Sequence, residues 1–138
     1  MSATTPQTRP LADAITWTNN WQQNNKSHAK AFLIPMGDIL ACLNELGAKF
    51  TIDSSGKIQA STGDFDLNIR AYMGTDDSSP AEDHLLLVGT TTTDGKKYKD
   101  IVETPGGESL VYDFTKPCPN NCDEHSKLYH KIAIEYSK

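Results

Sequence analysis

The chain has 138 residues, 37% hydrophobic and 22% charged, with a formal net charge of −5, which suits one domain around one moderate core. The acidic balance argues against nucleic-acid binding: the largest basic cluster (Lys96, Lys97, Lys99) is interleaved with Asp94, Asp100 and Glu103, not gathered into a phosphate-neutralising stripe. The apolar runs at 29–36 and 85–88 are too short to span a bilayer, and the polar opening lacks the apolar core of a signal peptide, so no membrane partner and a cytoplasmic location are expected.

Residues 1–8 read as a flexible arm, and residues 9–138 as a single α+β domain. A helix is expected from about 10 to 24, with Pro10 in its first turn and Leu11, Ala14, Ile15, Thr18 and Trp21 on the buried stripe. Trp17 falls off that stripe, and the amide-rich end from 19 to 25 reads as solvated. A short strand over 30–34 precedes a second helix over 36–46, whose stripe is Ile39, Leu40, Leu43 and Leu46 and whose stop is Gly47. Cys42 lies beside that stripe and reads as a small buried hydrophobe.

From Ala48 the period changes to two. Phe50 and Ile52 lead through a turn at 54–56 to Ile58 and Ala60, a hairpin pattern. Residues 66–73 alternate, and an acidic linker occupies 75–83. Leu85 to Val88 do not alternate, which predicts a central strand covered on both faces. Asp94-Gly95 turns the chain into a strand over 97–102, and 110–114 follows a further loop. At the C-terminal end Leu128, Tyr129, Ile132, Ala133 and Tyr136 fit one helix face, although Ile132, Ile134 and Tyr136 also fit a strand. The expected architecture is an antiparallel sheet of about four or five strands, with two or three helices packed mainly on one face.

The chemistry concentrates in Pro117-Cys118-Pro119-Asn120-Asn121-Cys122, with His125 and His130 beyond. Three roles compete. Cys118, Cys122, His125 and His130 form a candidate zinc set, because thiolate and imidazole suit that ion. The two thiols could instead form a reversible or stable disulfide, with Asn121 capping a following helix and Glu124 completing a capping box. They could also be inert packing residues. Arg70 and Tyr72 project from one strand face, and with His84 they form a candidate ligand pocket. The acidic residues Asp76, Asp77, Glu82 and Asp83 lack the spacing of a calcium loop. Phosphate-loop, nucleophile-elbow and zinc-protease motifs are missing, so no enzyme class is indicated.

Ile34-Pro35 with Asp38-Ile39-Leu40, Ile69-Arg70 with Tyr72 and Gly74, Leu86-Leu87-Val88-Gly89, and Tyr112-Asp113-Phe114 before Cys118-Pro119 and Cys122 occur in that order. The pattern resembles a family of small uncharacterised bacterial proteins that pair an I-R-x-Y-x-G strand with a late C-P-x-x-C element. The likeness covers residues 28–125 and implies no activity, cofactor or catalytic residue. The leading expectation is a non-enzymatic interaction or self-assembly module, stapled by its cysteine loop. The rival is a small metal- or thiol-dependent enzyme that uses Cys118, Cys122 and His125, with Arg70 and Tyr72 holding an anionic substrate.

Overall fold

The computed structural model describes residues 6–61 and 67–132. Their elements run α1 (Leu11–Asn24), β1 (Ala31–Leu33), α2 (Met36–Glu45), β2 (Lys49–Ile52), β3 (Ile58–Ser61), β4 (Asn68–Thr75), β5 (Asp83–Thr91), β6 (Lys99–Ile101) and β7 (Lys116–Cys118). The mixed α+β class holds. The single sheet does not: the strands form three antiparallel sheets, β1–β7, β2–β3 and β4–β5–β6. Local alternation marks strands but carries no information about which distant strand each one joins.

The longest strand, β5, organises the body. Leu87, Val88, Gly89 and Thr90 are buried, as the non-alternating run implies. β4 pairs along its whole length on one side. On the other side β6 covers Gly89 to Thr91, and the backbone of Tyr112 exchanges two hydrogen bonds of 2.9 Å with Leu87. The expected strand over 110–114 is thus reduced to that single bridge. Gly89 admits the residue just past α2: a Cβ there would come within 2.8 Å of Leu46 Cδ1. Gly47 follows at φ +91°, a left-handed stop that suits glycine.

The buried face of α1 differs from the expected stripe. Leu11 is 53% and Trp21 43% exposed, whereas Gln22 is 2% exposed. The reason is hydrogen bonding. Gln22 Nε2 donates to the Leu128 carbonyl at 2.8 Å, and the His130 amide donates to Gln22 Oε1 at 2.8 Å. One side-chain amide therefore takes the place of a neighbouring strand for the C-terminal segment. Thr18 Oγ1 lies 3.0 Å from His130 Nε2, and Lys30 Nζ donates to the His130 carbonyl at 2.8 Å. Ile132, 1% exposed, completes the anchor.

No helix forms over 123–132. Asp123 Oδ1 accepts the His125 amide and Ser126 Oγ accepts the Leu128 amide, so short polar side chains capture the donors that a helix would need. Ala133, Ile134 and Tyr136, like residues 1–5 of the expected arm, lie outside the described residues.

Candidate functional site

The cysteine loop is anchored to the body. β7 pairs with β1 in the register Ala31↔Cys118 and Phe32↔Pro117, and the Lys30 amide donates to the Cys118 carbonyl at 2.8 Å. Cys118 and Cys122 are joined by a disulfide, and Cys42 is a free thiol, 3% exposed. Burial, then the nearby Glu45 carboxylate, pushes the Cys42 thiol up. Among the described residues no helix follows Asn121 for it to cap, and its side chain instead donates to the Lys116 carbonyl.

The four candidate zinc ligands are not drawn together as a set. Both sulfurs are committed to each other, and a disulfide offers no thiolate to a metal. His130 faces Thr18 on α1, and His125 is exposed. Two clefts of about 270 and 290 Å³ flank the disulfide. Cys122 and Lys30 line both, and Lys30 Nζ sits 4.0 Å above the Tyr129 ring.

The candidate ligand trio divides between two places. Arg70 lies opposite Val88, and His84 opposite Gly74, four residues away along β5, or about 13 Å. Arg70 Nη1 donates to Asp100 Oδ1 at 2.5 Å and to the Tyr98 carbonyl at 3.3 Å, and the Tyr72 hydroxyl donates to the other Asp100 oxygen. The guanidinium is neutralised by its own sheet, which leaves little charge for an anionic ligand. Alternation along β4 identified the shared face, but the counter-ion on β6 is visible only once strands are paired.

His84 sits at the other end of β5 between two carboxylates. Its Nε2 lies 2.9 Å from Asp76 Oδ2, and its Nδ1 lies 3.1 Å from Asp113 Oδ2. Hydrogen bonds to Asp76 and then Asp113 raise the imidazole above its ordinary value. The Glu82 amide, the Ser78 hydroxyl and His84 hold Asp76 far below the usual carboxylate range. Donor atoms of Asp76, Glu82 and His84 lie within 4.8 Å of one another, and this is the group of potential metal ligands that the described residues bring together. Its geometry is already explained by the turn, since Asp76 Oδ1 accepts the Ser78 and Glu82 amides at 3.0 Å each.

Asp83, one residue earlier, ties this end of β5 to the segment that leads into β1. Its carboxylate accepts the Ala29 amide at 2.6 Å and the Thr75 hydroxyl at 2.9 Å, and His28 Nδ1 lies 3.2 Å away. Burial pushes this carboxyl up, but the Ala29, Thr75 and His28 contacts more than offset it, so it titrates below its ordinary value. The two chemical regions of the sequence thereby face one cleft, lined by His28, Glu82 and Asp83 on one side and Cys122 on the other.

The β2–β3 hairpin supplies a surface of another kind. The register pairs Phe50 with Ala60 and Ile52 with Ile58, which places all four side chains on one face. That face is open: Ile52 is 72%, Ile58 63% and Phe50 38% exposed. The turn beneath is locked by Asp53, whose Oδ1 accepts the Ser55 and Lys57 amides at 2.9 Å each, while Gln59 donates to Oδ2 at 3.1 Å. Hydrogen bonds from Ser55 and then Lys57 hold the Asp53 carboxyl below its ordinary value. The sequence identified the hairpin and not its exposure, because alternation looks the same whether the apolar face meets the core or water. The chain matches no protein family, no curated protein and no solved structure.

Proposed function

We propose that the chain is a cytoplasmic self-assembly module, in which two copies stack the apolar faces of their β2–β3 hairpins about a twofold axis. The open face of Phe50, Ile52, Ile58 and Ala60 carries this reading. A two-stranded hairpin is marginal in water unless something covers its apolar side. A second copy suits the face on shape. Phe50 stands beside the small Ala60, so a twofold sets each copy's ring over the other copy's hollow, and an isologous contact fills both at once. Ile52 and Ile58 then meet their counterparts at the far end of the face. No charge is buried in this arrangement.

Full burial of a large aliphatic side chain is worth about 1.5–3 kcal/mol. Scaled by the exposures, the two faces contribute roughly 8 kcal/mol before the cost of association. The face is smaller than the ~800 Å² per partner of a standard interface, so the dimer belongs to the weak, concentration-dependent class. Among the described residues no helix is long and apolar enough to cross a membrane.

Light scattering over a concentration series up to about 1 mM tests the proposal. A mass rising toward twice the 15.2 kDa of the chain supports it. A constant 15.2 kDa at every concentration removes it.

A further inference from the structure

We infer that the Cys118–Cys122 bond is an exchange site for protein thiols, that Cys122 is the sulfur attacked, and that the substrate is a cysteine flanked by apolar residues. The two sulfurs are unequal. Cys118 is 5% exposed, and its backbone is paired into β7, where its carbonyl accepts the Lys30 amide. Cys122 is partly exposed, lies outside any strand and lines both flanking clefts. An incoming thiolate therefore meets Cys122 and displaces Cys118, and access decides which sulfur is attacked.

The larger cleft selects the substrate. Phe32, Leu33, Leu128 and Tyr129 wall it, and the disulfide-bonded residues Cys118 and Cys122 border it. Its fixed cation is Lys30, held by the His130 carbonyl and the Tyr129 ring, and Asp123 is the acidic residue in the wall. One positive and one negative group leave no net charge to favour a small anionic thiol such as glutathione. The apolar wall favours hydrophobic flanks. β1 adds an extended backbone beside the cleft, hydrogen-bonded to β7 alone within its sheet, along which a peptide can lie. His125 lines neither cleft and takes no part.

The exchange balances. A peptide thiolate attacks Cys122 Sγ, a peptide–Cys122 disulfide forms, and the Cys118–Cys122 bond breaks with its electron pair leaving on Cys118 Sγ. A second peptide thiolate attacks the peptide sulfur of the mixed disulfide and releases the peptide dimer and the Cys122 thiolate. Two electrons pass from two peptide thiols to the protein disulfide, and the two protons lost by those thiols are available to the cysteine thiolates.

The test uses the unreduced full chain and two probes at equal thiolate concentration: glutathione, and a blocked pentapeptide with leucine and phenylalanine flanking one cysteine. Reactions are quenched with acid, alkylated and sequenced by mass spectrometry. The inference predicts the peptide adduct on Cys122 with the alkyl group on Cys118, and a peptide rate about tenfold above that of glutathione. Leu33→Glu, at a position 55% exposed, abolishes that advantage by lowering the peptide rate. Adduct on Cys118, equal rates for the two probes, an advantage that survives Leu33→Glu, or a purified chain that carries no Cys118–Cys122 bond overturns the inference.

Discussion

Ile52→Ala separates an interface role for the hairpin from a purely internal one. The substitution removes three carbons, each worth about 0.8 kcal/mol on full burial. Ile52 is 72% exposed in the single chain, so a partner has that share left to cover, about 1.7 kcal/mol per copy. A twofold contact contains the residue twice, which doubles the loss to about 3.5 kcal/mol, or roughly a 300-fold weaker dimer. The folded single chain loses only the part already buried, about 0.7 kcal/mol. Sedimentation equilibrium reads the first quantity and urea denaturation at dilute concentration reads the second. Thr51→Ala, on the opposite face of β2, leaves dimerisation unchanged. If Ile52→Ala weakens the dimer no more than Thr51→Ala does, the interface lies elsewhere. A large loss of stability in the dilute chain would instead show Ile52 covered within one copy.

Three further outcomes follow from other parts of the molecule. His84 is raised by Asp76 and Asp113, so its contribution to stability is complete below the ordinary imidazole value of about 6.5 and is lost as pH rises through the folded midpoint. Imidazole NMR titration should place that midpoint above 6.5, and Asp76→Asn should lower it and destabilise the chain more at about pH 5.5 than at about pH 8.5; an unmoved midpoint contradicts the array. Gln22→Ala deletes two part-buried hydrogen bonds to the C-terminal segment and should cost about 2–4 kcal/mol, with hydrogen exchange at His130 accelerated; unchanged exchange would show that the segment docks without Gln22. Thiol titration of unreduced, denatured protein should find the single thiol of Cys42, rising to three after reduction; three without reductant would exclude the bond.

The sequence carried the local part of this fold. Both helices, the Gly47 stop and the Asp94-Gly95 turn follow from residues within a few positions of one another. There, Asp94 Oδ1 accepts the Lys96 and Lys97 amides at 2.8 and 3.0 Å. The doubly covered β5 was legible because burial on both faces removes alternation. Long-range pairing was not legible. Nothing in residues 31–33 announces a partner at 116–118, and nothing in an amide-rich helix end announces that Gln22 will clamp Leu128 and His130. The cysteine loop was found as a place, while its chemistry depended on the distance between two sulfurs. Alternation placed Arg70 and Tyr72 on one face of β4, but only the β4–β5 register shows that His84 lies four residues along β5 from the partner of Arg70 and borders a different cleft.

Isotope-filtered NMR on a mixture of labelled and unlabelled chain puts the stacked-hairpin claim to its most direct test. Contacts are expected between the Phe50 ring of one copy and the Ala60 methyl of the other, strengthening as concentration rises. Intermolecular contacts that avoid β2 and β3, or none at about 1 mM, would contradict it.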